Sequence, residues 1–287
     1  MTHIFDFHLS RMGIKHEEDV GRKKEEILKK IMEGKDIRSF YPTQKEFGHL
    51  PQNSALIKIS FKLRKPYTSK DEGEFHVIFD GERYRTFDNP MVRDIFLGCA
   101  MVRPSTWKGH LRFAAEKVET VSGIESDNEK RKVIIKRLFG ADPDDGDSLK
   151  GRLYFFPTFF EGGGERDVIT PLDREKRIPT KGPIFLEVVK AGGIGDFHLL
   201  YVPYPKGNDF KEEQIKEDLI FLINTLKSMF YTYGFSAKKT SGYGVIERRL
   251  EKGEIWIKIG TDIKEKNFFE IDELRNKLIE LWRENNE

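Results

Sequence analysis

Phosphate is the chemistry that the best-equipped residues of this chain can serve. Arg103-Pro104-Ser105-Thr106-Trp107-Lys108-Gly109-His110-Leu111-Arg112 reads as a loop entering a helix, with Pro104 setting an extended entry and Ser105 as the N-cap. The unpaired amides of a first helical turn favour anions, and Lys108 and Arg112, four residues apart, share one face. Lys there supplies a point charge and Arg a planar fork. A second stretch, Lys238-Lys239-Thr240-Ser241-Gly242-Tyr243-Gly244, combines lysines, hydroxyls and glycines, and its amides can form an anion nest. It lacks the Gly-x-x-x-x-Gly-Lys-Ser/Thr pattern, which argues against ATP or GTP. A short way upstream of the helix start, Asp88-Asn89-Pro90 makes an acidic turn, for which Asp is a common initiator.

Other chemistries find little support. The seven histidines show no HExxH or paired-ligand spacing, and His76 and His110, the two nearest the helix start, read as surface or packing residues. Asp142 to Asp147 partly resembles a calcium loop, but Pro143 and the missing distal glutamate argue against an EF-hand, leaving a solvated connector. The single cysteine, Cys99, forms neither an internal disulfide nor a cysteine-based zinc cluster, which fits a reducing cytoplasm. Without a signal peptide or a run of about 18 apolar residues, no membrane role is expected.

The elements that must position these residues follow from periodicity. Ala55 to Leu63 alternates, with Ala55, Ile57, Ile59, Phe61 and Leu63 on one side and Lys58, Ser60 and Lys62 on the other, a half-buried strand. Trp107, Leu111, Ala114 and Val118 form the apolar stripe of the helix that carries Lys108, so Trp107 is expected in the core. A second helix runs from Val133 to Phe139. Strands are expected at 153–160, 184–189 and 197–202. The clearest helix is Asp218 to Tyr233, stopped by Gly234; a strand from Val245, another at 255–259 and a helix from Glu270 to Trp282 follow. Glu161 to Pro183, rich in Gly, Pro and charge, suits a projecting hairpin. Tyr67 to Arg85 is a polar excursion.

The order strand, helix, strand, strand, helix, strand defines an α+β, ferredoxin-like (RNA-recognition-like) βαββαβ core with an inserted β-hairpin thumb and helical extensions. Expected boundaries are an N-terminal, partly helical extension over 1–54, a core over 55–260 with the thumb at about 161–183, and a C-terminal helix over 261–287. With 50 basic and 48 acidic residues the net charge is +2, so nucleic-acid binding must come from a local basic stripe. Charged residues make up 34%, a composition compatible with a thermophilic source.

The Asp-x-Pro turn followed by Pro-Ser-x-x-Lys-Gly-x-Leu-Arg resembles the signature of the RAMP superfamily, specifically the repeated backbone subunit of type III CRISPR effector complexes. Leu138-Phe139-Gly140, Gly151 to Phe155, Thr170-Pro171-Leu172-Asp173-Arg174 and Ser241-Gly242-Tyr243-Gly244-Val245 are similar to further family segments in the same order. Arg64 to Ser69 departs from the family's glycine-histidine segment.

This resemblance implies binding of a guide RNA through Ser105, Lys108, Arg112, Lys239, Ser241, Gly242, Tyr243, Gly244 and Arg174. It also implies cleavage of a complementary target RNA by Asp88, which would hold a transient Mg2+ or Mn2+ with phosphate oxygens and water. Implied partners are other CRISPR effector subunits and copies of the chain itself in a helical backbone. Two alternatives stay open: a non-catalytic structural or end-capping RAMP subunit, and a guide-RNA-processing endoribonuclease.

Overall fold

The computed structural model describes residues 41–70, 76–79, 84–87, 90–94, 99–118, 120–121, 124–125, 128–141, 149–160, 165–170, 182–206 and 210–283. Its centre is β1 (Ala55–Lys62), antiparallel to β11 (Ile194–Tyr201) on one side and to β12 (Lys252–Ile259) on the other. β7 (Leu153–Phe155) closes the sheet beyond β11, and β13 (Asp262–Phe268) extends it beyond β12, giving the order β13-β12-β1-β11-β7. Two helices, α2 (Pro104–Ala115) and α3 (Asn128–Phe139), lie between β1 and β7, and α4 (Glu213–Ser228) lies between β11 and β12. The four strands β1, β7, β11 and β12 with these crossovers are the ferredoxin-like βαββαβ arrangement, with β13 added at an edge.

Alternation in β1 decides the layering. Ala55, Ile57, Ile59 and Phe61 are fully or almost fully buried against α2, α4 and α5 (Ile271–Arg283). Leu56 points the other way, into a smaller cluster with Leu200, Val202, Trp256 and Phe47 of the short helix α1 (Gln44–Gly48). Both faces of the sheet centre are therefore covered. No helix among the described residues is long and apolar enough to cross a membrane.

Four small antiparallel ladders accompany this sheet: β2 (His76–Phe79) with β3 (Tyr84–Phe87), β4 (Met101–Val102) with β8 (Thr158–Phe159), β5 (Thr120–Val121) with β6 (Ile124–Glu125), and β9 (Glu165–Ile169) with β10 (Ile184–Val188). The β9–β10 ladder is the stem of the hairpin expected around 161–183. Its far end, 171–181, lies outside the described residues, as do the acidic 142–147 stretch and the first forty residues.

Several boundaries differ from expectation, each for a local reason. Arg103, not Ser105, is the N-cap of α2; Pro104 occupies the first helical position, where its missing N–H and fixed φ are tolerated, so Ser105 lies inside the first turn. α3 and α4 each begin five residues before the expected start, because those extra residues are mostly polar and exposed and carry little periodic signal, Ile215 of α4 being the buried exception. α4 ends in a π-helical turn, Met229–Tyr233, at Gly234. The strand expected from Val245 is only an isolated bridge between Ile246 and Leu63, and pairing resumes at Lys252. Tyr67 and Thr68, inside the expected polar excursion, are buried. β13 is an edge strand whose charged residues blunt it against further pairing.

One ionic cluster ties the crossovers to the sheet. Asp218 of α4, fully buried, accepts from Arg137 Nε of α3 at 2.8 Å, from Arg152 Nη1 just before β7 at 2.7 Å, and from the Tyr201 hydroxyl of β11 at 2.9 Å. Arg137 also reaches Glu217 at 2.8 Å. Removing one partner of such a cluster leaves buried charge uncompensated. Asp218→Ala should therefore lower unfolding free energy by about 3–5 kcal/mol in urea titration; a loss under about 1 kcal/mol would show that the cluster is not a staple.

Candidate nucleic-acid interface

Packing fixes the start of α2. Trp107 is fully buried, donates its indole N–H to Thr158 Oγ1 at 3.1 Å, and lies 4.4 Å between ring centroids from Phe235 and 4.8 Å from Phe197. With Trp107, Leu111 and Ala114 held inward, Ser105, Lys108 and Gly109 are exposed and Arg112 is half-buried. Arg112 Nε lies 3.7 Å from Glu116 on the next turn. No described carboxylate pairs with Lys108.

The glycine loop is built on the same aromatic cluster. Phe235 donates its amide to the Gly244 carbonyl at 3.1 Å. Here the backbone closes on itself: a Cβ on Gly234 would lie 2.4 Å from the Tyr243 carbonyl, and one on Gly244 would lie 2.7 Å from the Ser236 amide. Both residues also have positive φ, 74° and 76°. Gly244 is thus buried against its own chain. Lys239 to Ser241 forms a single 3-10 turn, Ser241 is exposed, and Gly242 stands in open space with φ 78°.

This loop packs on one shoulder of α2. Lys239 Nζ sits 3.7 Å over the ring of Phe113, which also meets Tyr233 edge-on at 5.5 Å and has Lys117 Nζ at 5.9 Å. Counting at 3.6 residues per turn, Phe113 lies roughly 140° around the helix from Lys108. The expected phosphate-binding residues therefore flank α2: Lys108 and Arg112 on one shoulder, and Lys239, Ser241 and Gly242 beside the other. No described carboxylate pairs with Lys117, Lys238 or Lys239. Burial lowers the pKa of Lys239, and burial with the neighbouring Lys239 charge brings His110 down to about 4.

The thumb stem is bolted to the glycine loop. Tyr243 donates its hydroxyl to Asp167 Oδ2 of β9 at 2.6 Å, and burial together with that carboxylate pushes its pKa up to about 12. The segment 64–69 supplies a second set of bolts. Gly244 N–H donates to the Pro66 carbonyl at 2.8 Å, Ser236 Oγ donates to Thr68 O at 2.7 Å, and Thr68 Oγ1 donates to Glu187 O of β10 at 2.8 Å. The Glu187 carboxylate, fully buried, then accepts the Met91 amide at 2.8 Å and pairs with the Arg93 guanidinium. Val92 N–H donates to Ser69 Oγ at 2.9 Å. Residues 90–93 are thereby tied to the thumb stem; Asp88 and Arg174 themselves lie outside the described residues.

On the outer face of the sheet, where RNA-recognition modules stack bases, two rings are paired with neighbours of the same chain. Tyr41 stacks on His198 at 3.9 Å and 9°, while Lys58 sits 3.1 Å over Trp256 and bonds Glu254 at 3.3 Å. Unpaired cations instead gather around α2. Periodicity marks Phe113 and Lys117 only as residues off the core stripe, so their place in this cluster is a product of the tertiary contact with the loop.

A model of the RAMP superfamily matches residues 73–247, more than half of the sequence. The chain belongs to the RAMP superfamily. As a RAMP chain it is similar in fold to a chain of a type III-B Cmr-beta complex solved bound to cognate target RNA. That match has 16% identity and a TM-score of 0.50, covering 90% of this chain and 80% of that one. A chain of a Csm3-Csm4 subcomplex of the type III-A CRISPR-Cas interference complex matches at 18% identity and a TM-score of 0.47, over 80% of this chain and 96% of that one. No curated protein matches.

Two histidines make the stability of this RAMP chain pH-dependent. His110 and His198 are both brought from 6.5 to about 4, chiefly by burial. The unfolded chain then binds protons that the folded one refuses, so their contribution is complete above pH 6.5 and is lost as pH falls toward 4. Denaturation midpoints should decline already between about pH 6.5 and 5, above the carboxylate range. The His110→Gln/His198→Gln double variant should be flat over that interval; an equal decline in wild type and variant would contradict the assignment.

Proposed function

We propose that this chain is a guide-RNA-binding subunit of a type III CRISPR ribonucleoprotein, in which copies line up along one guide and the thumb wedges the guide–target duplex. The observation that carries this reading is the gathering of carboxylate-free lysines on α2 and the glycine loop of a RAMP fold, with the loop hydrogen-bonded to the thumb stem. Backbone amides and point charges in that arrangement suit a phosphodiester chain more than base edges, so the grip is largely independent of sequence. The similar type III-B chain comes from a complex holding target RNA, which agrees with this reading.

In the proposed reaction Asp88 acts on the target. Among the described residues no group of three or more His, Cys, Asp or Glu could hold a metal ion. A divalent cation at Asp88 would take phosphate oxygens and water as further ligands, and Mg2+ or Mn2+ would supply Lewis-acid activation of the scissile phosphate. The protein's own contribution is placement. Glu187 and Ser69 fix the backbone at Met91 and Val92, a few residues after Asp88, against the thumb stem.

Asp88→Asn preserves size and turn propensity while removing the charge. In the assembled complex with guide, labelled target and Mg2+, it should slow target cleavage at least about a hundredfold, roughly 3 kcal/mol in barrier, with guide and target binding intact. Asp94→Asn should stay active. Undiminished magnesium-dependent cutting by Asp88→Asn would remove this residue from the mechanism, and cutting of guide precursor without target or metal would favour the processing enzyme instead.

A further inference from the structure

The ring of Phe113 has no part in the phosphate grip proposed above. It lies one residue before Ala114, about 100° off the core stripe of α2, and is only half-buried. Tyr233 packs perpendicular to it, at 5.5 Å and 88°, which restrains the plane of the ring. Lys239 lies over the ring, with Nζ 3.7 Å from the centroid, and Lys117 stands farther off at 5.9 Å. An aromatic side chain is thus framed by lysines, none of which pairs with a described carboxylate.

A cation held over a partly exposed ring is held weakly, whereas a charge-assisted bond to a phosphate is roughly twice as strong as a neutral hydrogen bond. A phosphodiester arriving at the loop can therefore draw Lys239 off the ring. The face it leaves is planar, apolar and bordered by positive charge. Such a surface suits a base attached to that same backbone, and the base must come from a single strand, since a duplex keeps its base faces stacked internally.

We infer that Phe113 is a stacking platform for one base of the bound single-stranded RNA, covered by Lys239 in the free protein and uncovered when Lys239 takes a phosphate. This deepens the guide-RNA reading and rests on it. Stacking of this kind tolerates any base, so it adds affinity without adding sequence preference.

The test uses the full chain with two fluorescent probes, a short oligo-uridine and its abasic ribose-phosphate counterpart with the same number of phosphates. Phe113→Leu should weaken oligo-uridine binding about tenfold, leave the abasic strand unchanged, and leave the salt dependence of both as in wild type. Phe113→Trp, which keeps and enlarges the ring, should tighten oligo-uridine alone; it also guards against a Leu variant that fails to fold, as judged by near-UV circular dichroism. Equal weakening of both probes, or none in either, overturns the platform while leaving the phosphate grip standing. Failure of the wild-type chain to bind either probe overturns both.

Discussion

The contact between Trp107 and Phe235 is the constraint from which the interface follows. Trp107 belongs to the first turn of α2 and Phe235 to the turn that opens the glycine loop, and their rings lie 4.4 Å apart within a cluster that includes Phe61, Phe197 and Phe230. Aromatic pairs of this kind contribute about 0.5–1.5 kcal/mol each beyond the area they bury. More important here is geometry. A helix start and a loop more than a hundred residues apart in sequence are registered against one another by a buried, close-packed junction, so the lysines they carry keep a fixed spacing.

From that junction the order extends outward through hydrogen bonds. Phe235 holds Gly244, Gly244 holds Pro66, and Thr68 holds the backbone of Glu187, whose carboxylate in turn holds Met91. Glycine loop, thumb stem and the 90–93 segment form one connected set, with Tyr243 and Asp167 as a second link. Buried polar groups are costly unless satisfied, and these satisfy one another, so the segment 64–69 anchors both the loop and the thumb stem. On the opposite face of the sheet, Tyr41 stacks on His198, α1 covers Leu56, and Lys58 lies over Trp256.

Much of the fold is legible in the sequence because burial imposes a period. The alternation of β1 and the stripe of α4 each identify an element and its inward face. Polar first turns of helices and the charged edge strand β13 carry no such signal, since nothing buries them. The site is less legible for a different reason: its chemistry depends on partners distant in sequence. Gly244 reads as a ligand-facing glycine, but it serves a close approach within its own chain. Arg137 and Arg152 read as surface cations beside or within stretches that resemble the family, yet both turn inward to Asp218, 81 and 66 residues away. Lys108 and the loop read as a single grip, and the helix between them sets them on separate shoulders. Phe113 and Lys239 are unremarkable until the loop folds onto α2.

The central claim is that carboxylate-free lysines on the two shoulders of α2 hold an RNA backbone. Binding of a guide-length single-stranded RNA, followed across a range of salt concentrations, tests it most directly. Log affinity should fall linearly with log salt, and Lys108→Ala combined with Lys239→Ala should flatten that slope by up to about 1.4, roughly 0.7 for each lost phosphate contact. An affinity that does not vary with salt, or a slope the double variant leaves unchanged, would contradict it.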